Sequence, residues 1–201
     1  MKIKNYVLMF FAITGMSCGE DPPADEPTYD ELIAQGWIVF VQADYDSAFQ
    51  IFDQASALDA SLAEAYTGKG WCGLRTDQLS SAASDFSSAA GKNDRSATLF
   101  AGWAFVLNAQ KSYAASNTQA DSALARDPDW EFEHSLPYDA EYVHLVKAQN
   151  YFALSNYTAS LAEVQILNGS FSADVATADG RAALSTEIER LRTTLAKQVI
   201  R

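Results

Sequence analysis

Few side chains in this chain of 201 residues could carry out chemistry. There are two histidines, His134 and His144, and two cysteines, Cys18 and Cys72. A zinc centre asks for about four clustered ligands, more than these supply. Glu141 and His144 stand at E-x-x-H spacing on one helical face. A di-iron bundle needs two such pairs and two further glutamates on facing helices, and only one pair exists. No G-x-x-x-x-G-K-[ST] pattern occurs, and the matches to G-x-S-x-G at Gly15–Gly19 and to G-x-G-x-x-G at Gly68–Gly73 fall in the N-terminal apolar run and in a helical stretch, without the strand-to-helix turn that gives those motifs their chemistry. The reading therefore assigns no catalytic residue, no metal and no cofactor. Cys72 lies beside Trp71 in a helical stretch, where a buried, inert thiol is expected. A net charge of -12 makes the chain a poor partner for phosphate backbones, so no nucleic acid is expected. What remains is the chemistry of aromatic faces, chiefly Trp37, Trp71 and Trp103.

The first elements to be placed are those at the N-terminus. Lys2 and Lys4 precede an apolar run from Tyr6 to Met16. Such a run is far short of the roughly 20 residues of a membrane-spanning helix and suits the core of a secretory signal. Gly15-Met16-Ser17 then leads into Cys18. This resembles a bacterial lipoprotein signal, with Gly15 where such motifs usually carry Leu. The resemblance implies that residues 1–17 are removed, that Cys18 is lipidated, and that the protein is held in the cell envelope. The alternative is an ordinary signal peptide with an incidental cysteine. Gly19, rather than Asp, after the cysteine favours the outer membrane, with the facing side open. Residues 18–28 carry three prolines and four acids without a large apolar side chain before Thr28. They read as a disordered acidic tether, because they cannot bury enough surface to offset chain entropy.

Beyond the tether the chain repeats itself. Gly36-Trp37 recurs as Gly70-Trp71, and Ala48, Phe52 and Ala55 recur as Ala82, Phe86 and Ala89, all 34 residues on. Gly102-Trp103 marks a third copy at a shift of 32, which calls for about two extra residues at the turn near Lys111. A fourth, degenerate copy runs from about Glu141 to Leu167, with Ala148 in the glycine position. The segment Asp44–Ala55 resembles the second helix of a tetratricopeptide repeat, and Ala123–Pro128 resembles the family's repeat ending. The resemblance spans residues 29–168. It implies an all-α, right-handed superhelix of about four helical hairpins, each too small to bury its apolar face alone. Leu184, Ile188, Leu191, Leu195 and Val199 form one helical stripe, so residues 169–201 read as a linker and a C-terminal capping helix.

In tetratricopeptide domains the first helix of each hairpin lines the concave face. The residue after the marked glycine points into that groove, which the resemblance assigns to Trp37, Trp71 and Trp103. Phe40, Leu74 and Leu107 lie one turn away, and Arg75 borders the groove. Each tryptophan presents roughly 150–250 Å², whereas the largest apolar patch on a monomer is about 300–600 Å². Such a column does not stand bare. Either the chain covers it, by a tight superhelix or by the 181–199 helix folding back, or a protein segment occupies it, or a glycan stacks on it. Pro128 and Pro137 bracket a connection too long for a tightly packed solenoid, whose Trp130, Phe132 and Leu136 either tuck onto the hairpins or form an interaction loop. The expected role is a non-enzymatic, lipid-anchored envelope adaptor that binds a protein or peptide segment through this groove. A surface glycan-binding lipoprotein is the alternative.

Overall fold

The computed structural model describes residues 26–92 and 96–198. Cys18, the signal segment, most of the tether and Val199 lie outside the described residues. The elements are α1 (Tyr29–Val41), α2 (Tyr45–Leu58), α3 (Glu64–Arg75), α4 (Leu79–Ala90), α5 (Ala97–Ala109), α6 (Tyr113–Leu124), α7 (Ala140–Ala153), α8 (Tyr157–Leu167) and α9 (Ala178–Gln198). Consecutive helices pair as four hairpins, and each hairpin packs on the next. The odd-numbered helices α1, α3, α5 and α7 also touch one another in sequence, forming an inner layer. The fold is the all-α hairpin solenoid expected from the repeats.

Local sequence sets the helix starts. Thr28 and Glu31 form a capping box on α1, and Asp44, Ser96, Asp139 and Asn156 each accept a backbone N–H at the head of a helix. These bonds satisfy donors that the first turn leaves without intrahelical partners. Each hairpin turns on one residue in the left-handed region: Ala43, Asp77, Lys111 and Ser155, with φ of 62, 60, 61 and 59°. None is glycine, so the turn geometry is imposed by the packing of the two helices it joins.

These four residues give the true repeat register. Each stands seven residues after Gly36, Gly70, Ala104 and Ala148 respectively. In the third hairpin the Ser116 hydroxyl donates to the Ala104 carbonyl at 2.7 Å, and in the fourth Ser160 donates to Ala148 at 2.8 Å. The expected two-residue insertion near Lys111 is therefore corrected. The period stays 34 through the third hairpin, with Ala104 in the marked position and Gly102 two residues ahead of it.

Gly102 has a different job, shared with Gly68. A Cβ at Gly36 or Gly68 would meet the Phe52 ring at 2.5 and 2.6 Å, and one at Gly70 or Gly102 would meet the Phe86 ring at 2.8 and 2.5 Å. Each phenylalanine thus fills a slot between a glycine of its own hairpin and a glycine of the next. Lys69 and Lys147 add the same ionic clasp twice. Lys69 Nζ reaches Asp53 at 2.7 Å and Asp85 at 3.8 Å, and Lys147 Nζ reaches Asp121 at 2.8 Å and Glu163 at 2.7 Å.

The C-terminal helix closes one end. Leu184, Ile188, Leu191 and Leu195 of α9 bury against Leu145, Ala148 and Val164 of the last hairpin. Its exposed side carries Glu189, Arg190 and Arg192. The helix starts at Ala178, three residues earlier than expected, and packs on α7 and α8 rather than across the tryptophans.

Candidate functional site

Trp37 and Trp71 lie on the inner layer, but they do not line an open groove. The connection between α6 and α7 returns across them. Its ends are pinned by backbone bonds from Phe132 to Tyr138 and from Ala140 to Trp130, both 2.8 Å, and by an isolated bridge between Glu131 and Asp139. Phe132 inserts its ring 4.2 Å from Trp71 and 6.1 Å from Trp37, measured between centroids. His134 stacks flat on Trp37 at 3.8 Å and 7°. Tyr138 packs on Trp71 and Phe105. Trp71 is left 0% exposed and Trp37 7%.

The indole N–H groups are satisfied from within. Trp71 donates to the Thr98 carbonyl at 3.2 Å, Trp130 to the Thr98 hydroxyl at 3.0 Å, and Trp37 to Glu64 at 3.3 Å. Buried polar tips need such partners. The expectation of an exposed tryptophan groove is thus corrected: the chain's own connection fills it. Of the stated possibilities, self-coverage holds, through the loop of Trp130 and Phe132 rather than through α9.

The third tryptophan is also corrected. With Ala104 in the marked position, the residue equivalent to Trp37 and Trp71 is Phe105, whose ring lies 6.0 Å from Trp71. Trp103 precedes it by two residues, about 200° around the helix. It occupies the position of Lys69 and Lys147, half-buried. Gln149 takes the inner position in the fourth hairpin. Among the other expected groove residues, Phe40 is buried under Trp37, Tyr45 and Phe132, and Leu74 and Leu107 are half-buried. Arg75 is exposed, lies over the Tyr45 ring and donates to the Tyr138 hydroxyl at 3.4 Å. It braces the loop.

The titratable groups are engaged structurally. Burial pushes the Cys72 thiol up to about 12, so almost none of it is thiolate at neutral pH. Glu163 is buried, which by itself would raise its pKa, but hydrogen bonds from His144 and Lys147 outweigh burial and hold it below the usual carboxylate range. His144 Nδ1 lies 2.7 Å from Glu163 Oε2, so the E-x-x-H histidine pairs across the hairpin. Among the described residues, no group of three or more His, Cys, Asp or Glu side chains is placed to hold a metal ion.

A second surface escaped the sequence reading. At the N-terminal end no described helix packs on the outer flank of α1 and α2. Ile38 is 53% exposed, whereas its equivalents Cys72 and Val106 are 1% and 0%. Leu58 is 55% exposed, beside a shallow cavity of about 410 Å³ lined by Glu26, Pro27, Leu32, Gln54, Ala57 and Leu58. The signal was present in the 34-residue spacing, which puts Ile38 in register with Cys72.

No protein-family model matches the sequence, and no curated protein matches it significantly. Solved structures do match. YrrB, titled a TPR protein with an unusual peptide-binding site, shares 15% identity over 84% of this chain and 89% of its own, with a TM-score of 0.61. PilF of Pseudomonas aeruginosa shares 15% over 85% of this chain and 72% of its own, at 0.59. MamA from AMB-1 shares 15% over 76% and 80%, at 0.57. At this level of identity the likeness establishes the architecture: the chain has the tetratricopeptide-repeat fold.

Proposed function

We propose that the protein is a non-enzymatic scaffold of the bacterial cell envelope, anchored through a lipid on Cys18 in the outer membrane, that binds another protein through its solenoid. The observation that carries this reading is the asymmetry of the two ends. On the last hairpin α9 buries Leu145, Ala148 and Val164, although Ile166 stays 61% exposed, while on the first Ile38 and Leu58 are more than half exposed and no described helix packs on them from outside. A solenoid needs a polar cap at an end that faces water, so an end without a cap among the described residues supports contact with another molecule. The acidic, proline-rich stretch after Cys18 suits a spacer between the acyl chains and this end.

The inner face supports the same assignment of roles. It already holds an extended segment, the chain's own, and its indole faces are covered by Phe132 and His134. Sugar stacking on those faces is therefore disfavoured, and the partner surface shifts from the groove to the end of the array.

Two experiments test the proposal. Cys18→Ala is expected to move the protein from the membrane fraction to the soluble one; unchanged retention contradicts lipid anchoring. Photo-crosslinkers placed singly at Ile38, Leu154 and Ile166, all exposed apolar positions, are expected to capture a protein in intact cells. Silence at all three positions sinks the scaffold reading.

A further inference from the structure

Within the array, the covering of each inner helix follows a rule. Phe52 of α2 seats on Gly68 of α3 and Phe86 of α4 on Gly102 of α5, and the residues flanking those glycines on the same helical stripe, Ala65 and Cys72 of α3 and Leu99 and Val106 of α5, are buried. Ala65, Leu99 and Val106 are 0% exposed and Cys72 1%. The corresponding residues of α1 are Glu31, Ala34 and Ile38, and no described helix precedes them. The missing element is therefore defined by its equivalents: a helix antiparallel to α1 with a side chain seated on the small residue at its centre.

The size of that side chain follows from the series. Gly68 and Gly102 receive Phe52 and Phe86. In the fourth hairpin the position is Val146, and the residue equivalent to those phenylalanines is Ala120. A larger floor takes a smaller knob, so Ala34, between Gly and Val, calls for a Leu-sized residue.

Charge defines the rest. No Lys, Arg or His occurs between Lys4 and Lys69, a stretch that holds eleven Asp and Glu residues. Glu26, Asp30 and Glu31 rim the open flank and are exposed. The occupant must bring the opposite sign. In the lipid-anchored reading residues 1–17 are removed, and the ten residues Cys18 to Pro27 contain three prolines and no Leu, Ile, Val, Met or aromatic residue, a composition unsuited to such a helix. The polar outer side of α9 offers no complementary surface for stacking copies end to end.

Resting on the scaffold reading, we propose that the open flank of α1 and α2 is the docking site for a basic amphipathic helix of a partner protein. That helix lies antiparallel to α1, sets a Leu-sized residue over Ala34 and extends its apolar stripe onto Ile38 and Leu58. Its lysines or arginines face Glu26, Asp30 and Glu31.

The test is site-specific crosslinking from position 38 of the full chain in intact cells, with the adduct mapped by mass spectrometry. The expected adduct joins position 38 to a segment of another protein that is basic on one helical face and apolar on the other. Ala34→Trp, which fills the seat, and Asp30→Lys, which reverses the rim, are each expected to reduce the adduct at least tenfold while circular dichroism stays unchanged. Mapping to residues 1–17 of the chain itself, to a second copy, or to an acidic or uncharged segment overturns the inference. Silence at 38 with adducts at 154 or 166 overturns this site but leaves the scaffold reading intact. Silence at all three positions overturns both.

Discussion

Phe52 shows how one residue type serves two neighbours at once. Its ring lies against Gly36 of its own hairpin and Gly68 of the next, at distances that leave no space for a methyl group. Gly68→Ala is expected to cost about 1–3 kcal/mol through overpacking. Phe52→Leu should recover part of that loss in the double variant, because the two residues share one slot. Additive losses in denaturant titrations would refute the shared slot. His134 offers a second test at this scale. Burial lowers its pKa below the ordinary imidazole value, against a smaller opposing effect of Glu133. The unfolded chain therefore takes up the proton first as pH falls. His134 favours the folded state fully above about pH 6.5, and its contribution declines below that. His134→Phe keeps a flat ring on Trp37 and cannot titrate. Its melting temperature is expected to fall less between pH 7.5 and 5.5 than that of the wild type, and parallel slopes would contradict this.

At the level of elements, the connection between α6 and α7 is the feature that closes the inner face. The spacing from Ala104 to Ala148 is 44 residues instead of 34, and the additional chain is spent on covering the inner face. Phe132→Ala is expected to destabilise the protein by about 3–5 kcal/mol and to open Trp37 and Trp71 to acrylamide quenching. Native quenching that does not rise would show the indoles buried by something other than the loop. The buried polar cluster of the last two hairpins fixes a register of its own. Asn150, 0% exposed, donates to Ser116 at 2.8 Å and to Asn117 at 2.9 Å, and accepts from Asn108 at 2.7 Å. Much of this architecture was legible in the sequence. Recurrence of Gly-Trp, Ala and Phe at 34 residues specifies stacked hairpins, and the stripe from Leu184 to Leu195 specifies the closing helix. The site was less legible because Gly102-Trp103 imitates the repeat signature two residues early. Only the left-handed Lys111 and the Ser116–Ala104 bond reveal the register. Periodicity also describes helices, so it says nothing of where a non-helical connection runs, and that connection decides whether the tryptophans meet solvent.

For the molecule as a whole, hairpin arrays are quasi-one-dimensional, and their stability is a sum over neighbouring contacts. Such arrays loosen from an end, one hairpin at a time. Here Phe132 touches Trp37 on α1 and Trp71 on α3, while its loop is anchored at the head of α7. The Arg75–Tyr138 contact spans 63 positions of chain. The loop therefore ties the first hairpin directly to the last. In single-molecule pulling between residues 28 and 168, the wild type is expected to give way in one step, and Phe132→Ala in several smaller ones. Stepwise yielding of the wild type would show that the tie bears no load. A tether attached at one end of such a molecule would transmit tension across the hairpins as a unit, so the protein would behave less like a spring than like a strut.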